Sequence, residues 1–207
     1  VASLIVLFSF ITNGLQGATR RYITAELADG DFDSQQRVFS LALQAHGLIS
    51  VIVLILGETV GLWFLNNVLN IPDGRMVAAN FVYQFSILSS IVGIMTSPYQ
   101  SAIIAHEKMS IYAWLSIFDV MAKLGIALLI YVIAFDKLIL YGFLLLLVMI
   151  GDALLYIWYC HNKIETCKYK HVKDIPALKS MFVYMGWALF GQASYVSTQQ
   201  GITMLIN

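Results

Sequence analysis

Long apolar runs alternate with short polar stretches along this chain. The runs occupy residues 1–16, 39–65, 76–105, 111–134, 137–159 and 181–206. A helix needs about 20 predominantly apolar residues to cross the roughly 30 Å hydrocarbon core of a bilayer. The first run is shorter, and we interpret it as truncated at its start. The pattern therefore predicts an all-α integral membrane protein with six transmembrane helices, one of them truncated.

The polar stretches between these runs predict short connections. Residues 66–75 contain Pro72, Asp73 and Gly74 and are typical of a turn, as is the brief stretch 135–136. The longest polar stretches are residues 19–37 and 160–179. Because the predicted outer connections are only short turns, they leave no room for a large catalytic loop.

Composition agrees with a membrane protein and excludes one class of partner. Hydrophobic residues make up 59% and charged residues 12% of the chain, against about 45–50% and about 25% in soluble domains. Lys and Arg number 12, as do Asp and Glu, so the net charge is zero. A neutral chain favours neither nucleic acid nor an acidic partner.

The positions of the basic residues predict the orientation in the membrane. If the first run crosses from outside to inside, only Arg75 and Lys137 fall outside, and Lys123 lies within a span. The inner side then collects Arg20, Arg21, Arg37, Lys108, Lys163, Lys168, Lys170, Lys173 and Lys179. This asymmetry is typical of cytoplasmic loops. It predicts a multi-pass membrane protein whose first run crosses from outside to inside.

The chain opens inside an apolar run without an initiator Met and stops at the end of another. A signal peptide is not indicated, since no basic region or cleavage site precedes the run. We expect an internal fragment of a longer protein.

The acidic stretch at residues 29–33 begins like a calcium-binding loop. That pattern requires Gly at its sixth position and an acid at its twelfth, where this sequence has Ser34 and Ser40. We expect a solvated turn instead, in which Asp33 caps the next helix and Gln36 completes a capping box.

A second apparent motif combines Cys160, His161, Cys167 and His171. The cysteines are more widely spaced than zinc ligands usually are, and both fall on the predicted reducing side, where disulfides are rare. Unliganded thiols are expected. No phosphate-binding glycine loop or nucleophile motif is present, and we expect no enzyme activity, metal or cofactor.

Charged residues within the predicted spans are the main candidates for function, because ionised groups in hydrocarbon are costly. Lys123 lies near the middle of the fourth run, and Asp119 precedes it by one helical turn, a spacing that allows an ion pair. The pair either fixes helix packing or lines a water-filled cavity, in which Lys123 attracts an anionic substrate and Asp119 tunes it.

Glu58 in the second run and Asp152 in the fifth are the other acidic candidates. Each could be an interhelical hydrogen-bonding group or a site for a coupling proton or cation. Packing is the favoured interpretation for both.

Polar side chains also recur at helical spacing in the third and last runs. Asn80 and Gln84 share a face of the third run, and Pro98 is expected to kink it. Gln192 and Gln199 share a face of the last. Neither face suits lipid, so a polar interior typical of a transporter is predicted, with these four polar residues as cavity candidates.

Several short runs together resemble the polysaccharide flippases of the multidrug/oligosaccharidyl-lipid/polysaccharide exporter superfamily, with the O-antigen flippases most similar. The runs are FSF at 8–10, ATRRY at 18–22, EL at 26–27, GETVGLWFLN at 57–66, NIP at 70–72, YQFS at 83–86, PY at 98–99, IIAHEKM at 103–109, IYA at 111–113, DKLILY at 136–141, GWALFG at 186–191, QGI at 200–202 and LIN at 205–207. Their order and spacing carry the resemblance, which covers essentially the whole chain.

The resemblance implies a place within a larger transporter of 12–14 helices in two lobes. Residues 1–175 would supply helices two to six, in the amino-terminal lobe, and residues 176–207 helix seven, the first of the carboxy-terminal lobe. The whole protein would flip a polyprenyl-pyrophosphate-linked oligosaccharide across the membrane by alternating access. Arg21 matches a recurrent arginine of the family at the inner end of helix two, facing a cationic cavity.

Two other functions remain open from the sequence. A cation-coupled multidrug exporter of the same superfamily would use Glu58 and Asp119. A membrane glycan polymerase or ligase is less favoured, because it would need a large outer loop. Expected partners are the lipid-linked oligosaccharide, membrane lipids and glycan polymerase or chain-length machinery.

Overall fold

The computed structural model is a bundle of long helices, and no strand occurs among the residues that it describes. It describes the backbone of residues 2–68, 73–132 and 137–206, and the side chains of residues 12–68, 74–130, 137–195 and 198. The α-helices are α1 (Ala2–Asp29), α2 (Phe32–Leu56), α3 (Leu62–Asn67), α4 (Met76–Ala105), α5 (Met109–Val132), α6 (Lys137–Lys163) and α7 (Ile175–Ile206). A π-helical turn, Gly57–Gly61, joins α2 to α3.

Four helical stretches are long and apolar enough to cross a membrane. They are Phe32–Asn67, Met76–Ala105, Met109–Ile130 and Lys137–Lys163, with mean hydropathies of 2.3, 1.6, 1.9 and 2.5. The chain is thus an all-helical, multi-pass membrane protein. The predicted first and last runs fall in α1 and α7, both of which include residues whose side chains lie outside the described part.

The prediction of a polar connection at residues 19–37 is wrong. Helix α1 continues to Asp29, and α2 begins at Phe32. Gly30 makes the turn with a φ of 74°, a left-handed conformation that glycine adopts at little cost. Asp31 rather than Asp33 is the N-cap, and its side chain accepts a hydrogen bond from the Asp33 backbone N–H at 3.3 Å.

Two further sequence predictions differ from the structure: the capping box at Gln36, and the ends of α6 and α7. The Gln36 side chain donates to the Lys168 carbonyl oxygen instead of closing a capping box. Helix α7 begins at Ile175, six residues before the predicted run, and α6 continues to Lys163. Helix ends that project into water carry polar residues. A prediction from hydropathy therefore ends each helix too early, within its apolar run.

Helix α4 occupies the middle of the bundle and packs against α1, α2, α5 and α6. The buried residues of α4 include small ones, such as Gly93 and Ser97, and larger apolar ones, such as Ile94 and Ile103. Small side chains let neighbouring backbones approach closely, a common means of packing helices in membranes. Helix α7 packs against α1 and α2, where Met181 and Met185 are buried.

The π-helical turn fits closely against α4. The Tyr83 hydroxyl group donates a hydrogen bond to the Gly57 carbonyl oxygen at 2.8 Å. A Cβ atom at Gly61 would lie 1.7 Å from the same hydroxyl oxygen, so only glycine fits there. The turn, widened to the i→i+5 pattern, thus has a fixed partner on the neighbouring span.

The connection from α6 to α7 is tied to α2 along its length. The Gln36 and Gln44 side chains donate to the carbonyl oxygens of Lys168 and Val172, and the Lys170 backbone N–H donates to the Ser40 hydroxyl oxygen, at 3.0–3.1 Å. Four helical residues rise about 6 Å, and two residues of extended chain span about 6.6 Å. Every fourth residue of α2 therefore meets every second residue of the connection.

Candidate functional site

A polar cavity of about 200 Å³ lies between three of the spanning helices. It is lined by Gly93, Thr96 and Gln100 of α4, by Tyr112, Ser116, Asp119 and Lys123 of α5, and by Met149, Asp152, Ala153 and Tyr156 of α6. Charged groups from two different helices thus meet within the membrane-spanning part of the bundle.

The cavity contains two carboxyl groups and one ammonium group. The Lys123 ammonium group lies 2.7 Å from a carboxylate oxygen of Asp119, the ion pair that their spacing allows. Asp152 adds a second carboxyl group, on which the charges of both Asp119 and Lys123 act. The cavity carries a net negative charge when both carboxyl groups are ionised, and it is neutral when the two share a proton through their hydrogen bond.

Both aspartates have an oxygen atom without a hydrogen-bond partner. Asp152 is only 7% exposed, and its Oδ1 atom is buried and accepts no hydrogen bond from the described residues. The same holds for Oδ1 of Asp119. The Asp119 and Asp152 carboxyl groups are, however, within hydrogen-bonding reach of each other, so a proton on one of them would supply the missing partner.

Several lining residues were missed in the sequence, although their spacing contains a signal. Tyr112, Ser116, Asp119 and Lys123 follow one another at intervals of four, three and four residues, the spacing of one helix face. On α6, Asp152 and Tyr156 share a face in the same way. The spacing of the polar residues on α5 is visible in the sequence. Their contact with α6 is not, because it depends on how the two helices pack.

Arg21 lies elsewhere, at the contact between α1 and α7. Its guanidinium group donates a hydrogen bond to the Tyr184 hydroxyl at 2.9 Å and lies 5.0 Å from the centre of that ring. The neighbouring Tyr22 is 3.3 Å from the Ser180 hydroxyl. Gln192 is half-buried on α7, and the Gln199 side chain lies outside the described residues. Neither Arg21 nor Gln192 lines the α4–α5–α6 cavity.

Asn80 and Gln84 join α4 to the π-helical turn and α3 instead of lining that cavity. The Gln84 amide donates to the Glu58 carboxylate at 3.1 Å, and the Asn80 amide donates to the Asn66 side-chain oxygen at 3.2 Å. Glu58 is exposed on the bundle surface. The sequence candidates therefore divide into three places: the cavity, the α1–α7 contact and the α3–α4 contact.

Pro98, the expected kink, is buried in α4, which remains helical from Met76 to Ala105. Two turns beyond Pro98, the His106 ring faces the Thr166 hydroxyl at 3.3 Å. Burial, and then the charge of Lys108, lower the pKa of His106 below its ordinary value of 6.5.

The two cysteines lie together under the connection that follows α6. Both are buried free thiols, and the Cys160 thiol donates to the Tyr99 carbonyl oxygen at 3.5 Å. A hydrogen bond with Cys160 and burial raise the pKa of the Cys167 thiol. Thiols held in their neutral form are poor nucleophiles and poor metal ligands.

No protein-family model, curated protein or solved structure matches this chain.

Proposed function

We propose that the chain belongs to a membrane transporter that flips a polyprenyl-pyrophosphate-linked oligosaccharide outward for surface polysaccharide or O-antigen synthesis. The observation that carries the proposal is the charged cavity between α4, α5 and α6. Charged side chains within spanning helices are costly and usually mark a transport pathway. The sequence resemblance to polysaccharide flippases supplies the substrate class.

The size of the cavity supports assigning different ligands to two parts of the bundle. A volume of about 200 Å³ is below the roughly 300–1,000 Å³ of pockets that enclose a drug-sized ligand. An oligosaccharide cannot fit there. We therefore assign the sugar and pyrophosphate to the α1–α7 side, where Arg21 offers a cation, and a smaller solute or ion to the α4–α5–α6 cavity.

In this proposal, residues 1–175 form one lobe and residues 176–207 supply the first helix of the other, within the bacterial inner membrane. Six spans are proposed by adding α1 and α7 to the four that meet the length and hydropathy requirements. The connection tied to α2 would then be the linker between lobes, and the Arg21–Tyr184 contact would join them on the inner side.

The test is a deletion strain complemented with variants of the full-length protein. Surface polysaccharide and polyprenyl-linked oligosaccharide in the membrane are measured together. Deletion is expected to remove the first and accumulate the second, and Arg21→Ala is expected to restore export only in part. Lys163→Ala, a change at the exposed end of α6, is the matched control and should restore it fully. Normal surface polysaccharide in the deletion strain contradicts the proposal.

A cation-coupled multidrug exporter is the second candidate, because two carboxylates and one ammonium group in the cavity favour a cation. It predicts that the deletion strain becomes more sensitive to cationic drugs while surface polysaccharide stays normal. The two measurements in one strain therefore separate the two functions.

A further inference from the structure

We propose that a groove at the predicted outer end of α4, α5 and α6 binds one anionic phospholipid. Its phosphate group would lie on Arg75 and Lys137, and part of an acyl chain would pack along the apolar wall of the groove. This outer groove is separate from the charged cavity, and lipid binding there does not depend on which solute the protein moves.

The outer groove lies where three spanning helices have an end at the same membrane surface. Arg75 is the N-cap of α4, Lys137 is the first residue of α6, and Ile130 lies in the last turn of α5. The other end of α4 is beside the connection between α6 and α7, where His106 meets Thr166. The residues that line the groove are Arg75, Ala127, Ile130, Lys137, Leu138 and Tyr141.

The two basic residues of the groove are those that the sequence predicts on the outer side. Of the 12 Lys and Arg residues of the chain, only Arg75 and Lys137 are predicted there, and both line this one groove. Basic residues are scarce on the outer side of membrane proteins. Their convergence at one place therefore indicates an anionic ligand.

Both basic side chains are accessible. Lys137 is exposed, and its ammonium group makes no hydrogen bond or ion pair with another described residue. Arg75 is also exposed, and it has an interaction within the protein. A guanidinium group has five N–H donors, so that interaction is compatible with a hydrogen bond to a phosphate oxygen. Arg and Lys both form strong, charge-assisted hydrogen bonds with phosphate.

The wall of the groove is apolar and therefore favours a lipid over a free phosphate ion. Ala127 and Ile130 of α5 and Leu138 of α6 contribute to it. Tyr141 lies one turn beyond Lys137 on the same helix face, where a ring with a hydroxyl group suits the boundary between head group and acyl chain. An acyl chain gains van der Waals contacts with such a wall, whereas inorganic phosphate gains nothing from it.

The size of the groove also suits a lipid. Its volume is about 400 Å³, against about 200 Å³ for the charged cavity. Pockets that enclose a drug-sized ligand have roughly 300–1,000 Å³. A phosphate head group with the first part of one acyl chain is a ligand of this size, and the rest of the lipid would remain in the bilayer.

The experiment is photo-cross-linking of the purified full-length protein in nanodiscs of phosphatidylcholine. The probe is a trace of phosphatidylglycerol that carries a diazirine in an acyl chain, and mass spectrometry of the digested protein locates the cross-links. The wild type should be cross-linked within residues 127–141. Unlabelled phosphatidylglycerol should suppress this signal, and inorganic phosphate should not. A phosphatidylcholine probe with the same diazirine should give a signal about fivefold weaker or less.

Four variants test the two basic side chains. Because the probe is present only in trace, its cross-linking is proportional to affinity. Arg75→Gln and Lys137→Gln should each lower the signal at residues 127–141 about fivefold, which corresponds to about 1 kcal/mol for one basic side chain at a membrane surface. Lys137→Arg keeps the charge and should keep the signal. Lys163→Gln, at the opposite end of α6, is the matched control and should also keep it.

The variants leave the acidic neighbours of the two basic residues in the sequence, Asp73 and Asp136, in place, so a loss of signal is due to the basic side chain that was removed. An unchanged signal in either Gln variant of the groove would overturn the proposal. Equal signals from the two lipid probes would overturn it as well. Suppression by inorganic phosphate would reveal a site for the free ion and would overturn the lipid site.

Unfolding temperatures check that the variants are folded. Should a variant not fold, the comparison of the two lipid probes on the wild type decides alone. None of these measurements involves oligosaccharide. A failed export assay therefore leaves the lipid site untouched, and a failed lipid assay leaves the flippase proposal standing.

Discussion

The Lys123 ammonium group and the Asp119 carboxylate, 2.7 Å apart on one face of α5, form an ion pair inside a membrane-spanning helix. The pair lets α5 carry two charged groups at a lower cost than either would have alone. Asp152 on α6 shares the same cavity, so the pair also sets the net charge that a bound ligand meets.

The ion pair predicts a stability coupling between its two residues. Lys123→Met and Asp119→Asn should each lower the free energy of unfolding, because each leaves a charge behind in the span. The double variant should lose less than the sum of the two, by about 1 kcal/mol, within the range for contacting residues. A double-mutant cycle of unfolding in mild detergent measures this, and additive effects would show that the contact has no energetic role.

The connection between α6 and α7 should loosen when its hydrogen bonds to α2 are removed. Ser40→Ala deletes the oxygen that accepts from the Lys170 backbone N–H. A hydrogen bond worth about 1 kcal/mol corresponds to roughly fivefold faster exchange of that amide. Hydrogen–deuterium exchange of the peptide that contains Lys170 measures the rate. Ser86→Ala, which removes a hydroxyl bonded only within α4, is the control and should leave that rate unchanged.

The π-helical turn should not tolerate a side chain at Gly61. Gly61→Ala places a Cβ atom 1.7 Å from the Tyr83 hydroxyl oxygen, and overpacking of this kind costs about 1–3 kcal/mol. Gly61→Ala should lower the unfolding temperature of the wild type. It should lower that of the Tyr83→Ala variant by less, because the clashing hydroxyl group is gone. Gly47→Ala is the matched control in the same span, because nothing lies within 4 Å of its added Cβ. Equal effects at both glycines would contradict the close contact with α4.

Stability should depend on pH through His106, which lies outside the spans. Its pKa in the folded protein is lowered from 6.5 by burial and by Lys108, so the unfolded chain binds its proton more readily. The contribution of His106 is therefore fully present above pH 6.5 and is lost as the pH falls from there through the lower folded value. His106→Gln should flatten the fall in unfolding temperature between pH 7.5 and pH 5. A variant with the wild-type profile would exclude His106 as the source.

The sequence predicts the long helices well because each lipid-facing run has to be apolar. The third run, residues 76–105, matches α4 at both ends. Predictions fail where helices leave the apolar region, as in α1, whose last turns carry Arg20, Arg21 and Glu26 yet stay helical to Asp29. Hydropathy indicates whether a residue lies in lipid or in water. It does not indicate whether the helix continues beyond the apolar run.

The site was predictable only within single helices. The spacing of Asp119 and Lys123 indicates their contact, since both lie on α5. Nothing in the sequence indicates that Asp152 joins them, because that depends on how α6 packs against α5. For the same reason the sequence predicts that Asn80 and Gln84 line the cavity, while packing places them against Asn66 and Glu58.

A water-filled cavity beside Asp119, Lys123 and Asp152 distinguishes a transporter from a bundle that only packs in lipid. The most direct measurement is labelling of single cysteines on α5 by a small, charged methanethiosulfonate reagent, which reacts only in water. Ser116→Cys lines the cavity, and Phe118→Cys lies on the opposite, exposed face at nearly the same depth. The unsubstituted protein, whose native thiols are buried, gives the background. Labelling at position 116 and none at position 118 is expected; labelling at 118 alone, or at neither, would contradict a hydrated cavity.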